Sequence, residues 1–354
     1  MIQLESIYVK PTSADLRVIL STIHDVAEKA GVSVKTVSRV LNDYSHVSKK
    51  TRDKVLTAMD ELDYSPSSIA RQMRLGDTLS VGLMYGDPTS GYQSGLNQAF
   101  LEACFNAGRY LVAELLDESD RDWLSQVGRF LDKTKIKNVV LVPPLCDSEE
   151  VHELLRQREV NFVLISPSQT FPSCVSIVID EQKAAIQTTK HLINQGHTRI
   201  AHLTGDVMHV ASLLRQRGYE KALKDAGLPI RSNFIKEGGF DYKKALSCTQ
   251  ELLTLPENTR PTAIFCSNDE MAAAAMMVAS KMGLSVPEQV AIAGFDDSFI
   301  SKVLWPQLTS VAQPFSKMAA EALQQLNNFP KPRDFDPIVR VLPHKLYVRE
   351  SSQL

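Results

Sequence analysis

The 354-residue sequence has no run of about 18 consecutive apolar residues, the length that marks a candidate membrane-spanning helix. Its first 20 residues contain acids and a proline instead of the continuous apolar core of a signal peptide. Only five cysteines are present, and none has C-x-x-C spacing, so we expect buried free thiols rather than disulfides or a metal site. These absences predict a cytoplasmic protein without a membrane segment.

The sequence also lacks the short motifs of common enzymes, since no G-x-S-x-G, P-loop, H-E-x-x-H or G-x-G-x-x-G occurs in the required context. His191, His197 and His202 are close in sequence, but their rings need not converge, and we expect no metal there. Asp296 and Asp297 cannot flank one bond of a sugar, because adjacent side chains on a strand point to opposite faces. We therefore predict no catalytic residues and no cofactor.

Charge is unevenly distributed along the chain, although the net charge is only −2. Residues 22–75 contain nine Lys and Arg against seven Asp and Glu, a balance of +2. Residues 1–21 balance to zero, which leaves −4 for the remainder. A modestly basic segment on an acidic body suits nucleic-acid binding that can be switched, but this balance alone is weak support.

Residues 22–62 carry the pattern of three short amphipathic helices. Thr22, with Asp25 three positions later, predicts a capped helix start, and Gly31 predicts the end of that helix. Ser33 and Ser48 are expected to cap the second and third helices. Two helices joined by a four-residue turn containing glycine form a helix-turn-helix, although small all-α packing domains share this pattern. The expected inward-facing residues are Val26, Ala27, Ala30, Val37, Val40, Leu41, Val55, Met59 and Leu62.

Two segments are informative through their exact sequence and not only through helical periodicity. They are D-V-A-E-K-A-G-V-S-V-K-T-V-S-R-V-L-N from residue 25 and H-V-S-K-K-T-R-D-K-V from residue 46. They closely resemble the headpiece of the lactose-repressor (LacI/GalR) family of bacterial transcription regulators, and the similarity covers essentially residues 22–350. The resemblance implies an all-α helix-turn-helix headpiece followed by an α/β periplasmic-binding-protein-like core of two parallel-sheet subdomains.

The resemblance also implies which headpiece residues touch DNA. Arg39 would pair with a guanine through two hydrogen bonds, Lys35 would donate to a base edge, and Val34 would touch a thymine methyl. In this family other positions bind phosphate oxygens, which position the protein without reading sequence. These correspond to Ser33, Thr36, Asn42, His46, Ser48 and Thr51. A solvated helix face is the plainer interpretation of Lys35 and Arg39, and loop packing that of His46.

Residues 68–77 correspond to the family's hinge helix and linker. A helix this short is marginal alone, so we expect it to order when a second copy and DNA receive it. Ala70, Met73 and Arg74 would approach the minor groove. Met73 stands where the family usually has a leucine wedge, which leaves the degree of DNA kinking open. A plain linker helix is the alternative, and residues 1–21 are expected to be a disordered extension without an assigned function.

From residue 78 onward, apolar runs alternate with helix-length segments, which is typical of βαβ units and parallel sheets. The predicted strands lie within 79–85, 110–116, 138–144, 161–167, 175–180, 199–205, 262–268 and 289–297. Gly108, Gly196, Gly227 and Gly283 each follow a helical stretch, as helix-ending glycines do.

We therefore expect a headpiece at 22–67, a hinge at 68–77 and an effector-binding core at 78–354. Return segments near 306–310 and 335–340 would divide the core into two subdomains. The expected ranges are about 78–177 with 309–336 for the N-subdomain, and about 178–306 with 338–354 for the C-subdomain. Ligands of open α/β sheets lie beyond the carboxyl ends of the strands, which here means the cleft between the subdomains.

Several residues fall at those strand ends or match the family's pocket. Arg215 stands in the family's R-x-x-G-[FY] pattern, and its planar fork suits a vicinal diol or a carboxylate. Asp296 in G-F-D-D matches the family's acceptor for effector hydroxyls or amines. A structural ion pair or a core position is the plainer interpretation of each candidate, and the role of Ser166 stays open. The candidate effector residues are Tyr92, His209, Arg215, Phe240, Asn268, Asp296 and Trp305.

These patterns predict a homodimeric, sequence-specific DNA-binding repressor of carbohydrate genes. Its small-molecule effector would be a mono- or disaccharide, a glycoside or a sugar phosphate. A nucleoside- or purine-responsive regulator is the alternative within the family. A solute-binding protein shares the core fold but has no headpiece, and a sugar-active enzyme is the weaker rival. The chain shows no terminal leucine heptad for tetramer formation, so we expect a dimer.

Overall fold

A computed structural model describes residues 21–41, 44, 47–62, 64, 79–86, 90–116, 120, 122–331 and 334–353. These residues belong to two compact units, within Met1–Asp77 and Thr78–Leu354. Residues 1–20 of the predicted extension and the whole hinge, 68–77, lie outside the described residues, and so do Asn42, His46, Ala70, Met73 and Arg74.

In the described part of the first unit, three helices surround a small apolar core. They are α1 (Ile23–Ala30), α2 (Val34–Leu41) and α3 (Lys49–Glu61). The core contains Val26, Val37 and Val55, each fully buried, which confirms the inward face expected from helical spacing.

The start and end of α1 confirm the local sequence signals. The Thr22 hydroxyl accepts from the Asp25 backbone N–H, and the Asp25 carboxylate accepts from the Thr22 N–H at 2.7 Å. The Thr22 hydroxyl also donates to the Asp25 carboxylate at 2.7 Å, and this bond together with that from the Thr22 N–H lowers the pKa of Asp25. Gly31 ends the helix with φ +61°, a conformation that costs glycine little. Ser21, expected to belong to the extension, donates its hydroxyl to the Leu62 carbonyl and is therefore part of this unit.

The first half of the second unit is built on a six-stranded parallel sheet. Its strands are β1 (Ser80–Tyr85), β2 (Tyr110–Leu115), β3 (Asn138–Leu141), β4 (Asn161–Ile165), β5 (Val175–Ile179) and β11 (Ile338–Leu342). They lie in the order β11-β5-β4-β3-β1-β2. Strands β1 and β3 to β5 are almost entirely buried, as their continuous apolar runs predict.

The second half carries another six-stranded sheet. Its strands are β6 (Ile200–Thr204), β7 (Ile235–Glu237), β8 (Ala263–Cys266), β9 (Ala291–Asp296), β10 (Thr309–Ala312) and β12 (Lys345–Tyr347). They lie in the order β12-β10-β9-β8-β6-β7, and only β12 runs antiparallel to its neighbour. All eight strands predicted from the sequence are present, whereas the short strands β7 and β12 were not predicted, and β10 and β11 were expected only as return segments.

Helices cover the two sheets in the manner of βαβ units. In the first half these are α4 (Gly91–Asn106), α5 (Trp123–Thr134), α6 (Glu149–Gln157) and α12 (Phe315–Asn327). In the second half they are α7 (Glu181–Asn194), α8 (Val210–Asp225), α9 (Tyr242–Leu253), α10 (Asp269–Lys281) and α11 (Phe299–Val303). The four glycines predicted to follow helices all have positive φ. Among the described residues, no helix is long and apolar enough to cross a bilayer.

The chain passes between the two halves three times, after β5, after β10 and after β11. The second and third passages between the halves therefore lie a few residues later in the chain than predicted. Residues 309–312, expected in the N-subdomain, pair with β9 in the second sheet, and residues 338–342, expected in the C-subdomain, pair with β5 in the first. The physical reason is that the open edges of β9 and β5 need hydrogen-bond partners, which each passing segment supplies.

The cysteines are all free thiols, and four of them are buried. Cys248 differs from the expectation, because it lies partly exposed on α9 and donates its thiol to the Glu237 carbonyl.

Gly218 packs α8 against α7 without a side chain between them. A Cβ at Gly218 would lie 2.4 Å from the Gln182 carbonyl oxygen and 2.7 Å from the Ala185 Cβ. We expect Gly218→Ala to lower the free energy of unfolding by about 1–3 kcal/mol through overpacking. At a helix position with room for a Cβ, the same change would raise the free energy of unfolding by about 1 kcal/mol.

Urea denaturation followed by circular dichroism measures this difference. Arg217→Ala, at the exposed neighbouring position, is the control and should change stability by less than about 0.5 kcal/mol. A Gly218→Ala protein more stable than the wild type would contradict the close approach of the helices.

Candidate functional site

The exposed face of α2 presents two cations. Lys35 and Arg39 are both exposed, one helical turn apart, and the Arg39 guanidinium lies 5.7 Å from the centroid of the Tyr44 ring. Val34, expected to face outward, is instead half-buried and packs against the core of the unit. Because part of its surface contacts this core, only the remainder is open to a partner.

The N-termini of α2 and α3 are built alike. Ser33 accepts from the Thr36 backbone N–H at 3.2 Å, and Ser48 accepts from the Thr51 N–H at the same distance. In each pair the two hydroxyl oxygens are within 2.9 Å of each other. Both serines are exposed, so each helix start presents hydroxyls beside the positive end of the helix dipole, an arrangement that suits phosphate oxygens.

The second unit contains a cavity of about 370 Å³ between its two halves. It lies at the carboxyl ends of β1, β4, β6, β8 and β9, where the strand order places it. Six of the seven predicted effector residues line it: Tyr92, His209, Arg215, Phe240, Asn268 and Asp296.

Arg215 is the most tightly held of these residues, with only 4% of its surface exposed. Its Nε donates to Glu181 Oε2 at 2.8 Å, and its Nη1 donates to the Ser267 carbonyl. The guanidinium also stacks 3.6 Å from the centroid of the Phe295 ring. Burial lowers the pKa of Arg215, but Glu181 and Asp296 outweigh this and hold the pKa above its usual value. Arg215 is thus both a buried ion-pair residue and a wall of the cavity.

Asp296 ends β9 with φ +104°, a conformation that side chains other than glycine rarely adopt. Its Oδ1 accepts from Gln313 Nε2 at 2.7 Å, and burial raises the pKa of Asp296 well above its usual value. Asp297 turns away from the cavity, where it pairs with Arg349 at 2.5 Å and with Lys302 at 3.4 Å. The two acids therefore face different surroundings, as strand geometry predicts.

An aromatic and amide wall faces Arg215. Asn268 caps α10 through the Met271 N–H and donates to the Phe240 carbonyl at 3.2 Å. Phe240 meets His209 edge to face at 5.7 Å. The Phe240 ring fits only because residue 205 is glycine, since a Cβ there would lie 2.1 Å from the ring.

The opposite wall carries two hydroxyls. Tyr92 lies in the first turn of α4 against Phe315, and Ser166 follows β4 with φ +50°. The two side chains interact, yet neither hydroxyl makes a hydrogen bond of ordinary geometry. Burial raises the pKa of Tyr92. Ser166, whose role the sequence left open, is thus a cavity residue.

Five acids of the cavity were not predicted from the sequence. Glu181 and Asp206 directly follow predicted strands, so the strand-end rule that selected Asn268 would have found them too. Asp241 and Glu270 lie at the starts of α9 and α10 and are brought in by the packing of the helices. The five are Asp147, Glu181, Asp206, Asp241 and Glu270.

Trp305 does not belong to the site, and this prediction is wrong. Its side chain is 84% exposed and does not line the cavity. The segment after α11 leaves the edge of the sheet before returning as β10, so the aromatic ring points to solvent.

The three histidines considered as a metal cluster are bonded to separate partners. His191 contacts Ser352 Oγ at 2.7 Å, His197 contacts Thr262 Oγ1 at 3.0 Å, and His202 contacts the Phe265 carbonyl at 2.9 Å. Within the described part of the chain, no group of three or more His, Cys, Asp or Glu could hold a metal ion.

Both units match families of known proteins. A family model described as "Bacterial regulatory proteins, lacI family" matches residues 22–67, and one described as "Periplasmic binding protein-like domain" matches residues 189–352. Catabolite control protein A of Priestia megaterium is 31% identical over 333 residues, which cover 94% of this chain and 99% of that protein. The chain belongs to the lacI family. It is therefore a DNA-binding transcriptional regulator.

Other members of the lacI family are similarly related. The transcriptional repressor PurR of Aliivibrio fischeri (strain ATCC 700601 / ES114) is 30% identical, over 94% of this chain and 98% of that protein. The solved structure of the lac repressor dimer bound to operator and the anti-inducer ONPF has a TM-score of 0.77 at 28% identity. The regulator CelR in complex with cellobiose has a TM-score of 0.69 at 29% identity. Each structural match covers 94% of this chain and 99% of the other.

Asp269, the first residue of α10, links this helix to the start of α11 and to β10. Its carboxylate accepts from the Ser298 N–H at 2.7 Å and from Ser310 Oγ at 2.6 Å. Burial raises the pKa of Asp269 from 3.8 to about 7. The unfolded chain therefore loses this proton at lower pH than the folded protein does. The stabilising contribution is complete below about pH 4 and is lost as pH rises to about 7.

We expect Asp269→Asn to remove this dependence, because asparagine cannot titrate. The free energy of unfolding of the wild type, relative to Asp269→Asn, should fall between about pH 4 and pH 7 and then level off. Chemical denaturation across this range measures the difference. Asp336→Asn, an exposed acid of the same unit, is the control. Parallel pH profiles for the wild type and Asp269→Asn would contradict the raised pKa.

Proposed function

We propose that this lacI-family regulator is a cytoplasmic repressor, without enzymatic activity, whose operator affinity is controlled by a small saccharide-type effector in the cavity. The observation that carries this proposal is the cavity itself. It combines a buried guanidinium, a strand-end carboxyl and an aromatic face, Phe240, at the place where open α/β sheets bind ligands. Such a set suits a polyol, because hydroxyls pair with Arg215 and Asp296 while the sugar ring packs on the aromatic face.

Solved structures of two relatives support both proposed ligands, operator DNA and a saccharide effector. The lac repressor structure contains operator, and the CelR structure contains cellobiose, at 28% and 29% identity with this chain. A purine or nucleoside is the second candidate effector. PurR repressors are about as similar to this chain in sequence, and Phe240 and Asn268 would also suit a base.

For the headpiece we propose base contacts by Arg39, Lys35 and the open part of Val34. The phosphate contacts would come from the helix starts at Ser33 and Thr36 and at Ser48 and Thr51. Exposure of both cations on one face of α2 supports this assignment. The proposed contacts of Asn42, His46, Ala70, Met73 and Arg74 concern residues outside the described ranges.

A homodimer is proposed because apolar side chains are exposed together on the first half of the second unit. Leu101 and Phe105 on α4, and Tyr110 and Leu115 on the edge strand β2, are all more than half exposed. A two-fold dimer covers such a face and presents two headpieces to a near-palindromic operator.

A hydrogen bond between the two halves would let an effector in the cavity change the angle between them. The Gly91 backbone N–H, at the start of α4 in the first half, donates to Glu270 Oε1 of the second half at 2.7 Å. An effector that fills the cavity changes this contact and with it the angle between the halves. The resulting coupling to DNA equals the effector's difference in affinity for the two states, typically about 1–3 kcal/mol.

Arg39→Ala should weaken operator binding by about 1–3 kcal/mol and relax the preference at one base pair, because a bidentate base contact is lost. Thr51→Ala should weaken binding to all sequences to a similar extent, because a phosphate contact carries no base information. Titrations with the operator and with a set of single-base variants separate the two effects. The same loss of specificity in both proteins would contradict these roles.

Arg215→Ala should lower the free energy of unfolding, because Glu181 is left buried without its partner, but the folded protein should bind operator as the wild type does and fail to respond to effector. A mobility-shift assay with promoter fragments, at low ionic strength and with a saccharide and nucleoside panel, tests this and the proposed function together. Arg215→Lys, which keeps a cation beside Glu181 but loses the planar fork, should also lose most of the response. Loss of operator binding in both variants would make Arg215 a purely structural residue. Failure of the wild type to shift any fragment would overturn the repressor proposal.

A further inference from the structure

The cavity wall is strongly acidic. Six carboxyl groups line it, whereas Arg215 is the only Lys or Arg among the lining residues that the structure describes. Arg215 is already paired with Glu181 at 2.8 Å and also interacts electrostatically with Asp296, so four of the carboxyl groups have no cation among the described lining residues. Lys244 lies near the wall at Gly239, but its ammonium is bound by Glu237 at 2.6 Å. The four are Asp147, Asp206, Asp241 and Glu270.

Backbone N–H groups hold three of these acids in place by one oxygen each. Asp147 accepts from Ser168 at 2.7 Å, Asp206 accepts from Met208 at 2.7 Å, and Asp241 accepts from Lys244 at 2.6 Å. A neutral amide neutralises no charge, so the acids keep their negative field in the cavity. Low-dielectric walls strengthen that field relative to open water.

Glu270 and Asp296 accept hydrogen bonds from neutral donors among the described residues. Glu270 uses Oε1 for the Gly91 N–H, while its Oε2 is buried without a hydrogen-bond partner. Asp296 uses Oδ1 for Gln313, and its pKa stays well above the usual value because burial and the neighbouring acids Asp269 and Glu270 outweigh the attraction of Arg215. A buried carboxylate oxygen without a donor is unfavourable, and a donor carrying positive charge relieves both the missing bond and the repulsion.

We infer that the effector presents a protonated amine to Glu270 and Asp296, as an amino sugar does, and that the cavity rejects phosphorylated sugars. The inference rests on the proposed saccharide class and narrows it. The hydroxyls of the ligand would meet Tyr92, Ser166 and Asn268, whose polar atoms face the same space. A phosphate group would instead add negative charge to a wall whose described residues include six carboxyl groups and, among Lys and Arg, only Arg215, which is already paired with Glu181.

Isothermal titration of the full-length protein at low salt tests this inference. The probes are glucosamine, galactosamine and mannosamine, their three neutral parent sugars, and the three parent 6-phosphates. We expect at least one amino sugar to bind roughly tenfold or more tightly than its parent, and every 6-phosphate to bind more weakly than its parent. The amino-sugar affinity should fall between about 50 and 500 mM NaCl, whereas the parent affinity should change little.

Charge-neutral variants locate the amine. Glu270→Gln and Asp296→Asn keep the size of each side chain and should bring the amino and parent forms to nearly equal affinity. Glu288→Gln, an exposed acid that does not line the cavity, should retain the wild-type preference.

Two results would overturn the inference while leaving the proposed function intact. One is a neutral or phosphorylated sugar that binds more tightly than its amino form. The other is release of operator by a saccharide without an amine when no amino sugar binds. Failure of every saccharide, in any form, to bind or to release operator would instead overturn the saccharide proposal itself.

Discussion

The floor of the cavity depends on one buried ion pair, between Arg215 of α8 and Glu181 of α7. The guanidinium also reaches the Ser267 carbonyl at the end of β8 and stacks on Phe295 of β9, so a single side chain connects two helices and two strands. Removing either charge would leave the other buried without compensation, which is far less favourable than the pair. The pair therefore keeps the guanidinium at the cavity wall and holds its remaining N–H groups ready for a ligand.

The same region contains strained and incompletely bonded acids that suit a ligand-controlled site. Asp296 has a left-handed backbone conformation and a raised pKa, and Glu270 receives a hydrogen bond from the other half of the unit. Strain and incompletely satisfied polar groups persist where a ligand is to be bound, because the bound state relieves them. A regulator benefits from this arrangement, since the free energy released on binding can change the angle between the halves.

Local rules predicted the parts of the fold that depend on neighbouring residues. Thr22 with Asp25, the turn at Gly31 and the eight apolar strands were all recognisable, because caps, turns and buried strands are specified within a few positions. The predictions failed where distant partners decide. Residues 309–312 and 338–342 become strands because β9 and β5 have open edges, Val34 turns partly inward to a small core, and Trp305 is carried outward by its loop.

The sequence by itself determined the family, the headpiece, the alternating α/β core and six of the seven predicted cavity residues, because each leaves a local pattern or a motif. Only the tertiary structure decided the charge of the cavity. Its acids come from positions between 147 and 296, separated by strands and helices, and no short segment carries their excess. Electrostatic fields add over distance in space and not over distance along the chain, so the preference for a cationic ligand emerges only when the two halves come together.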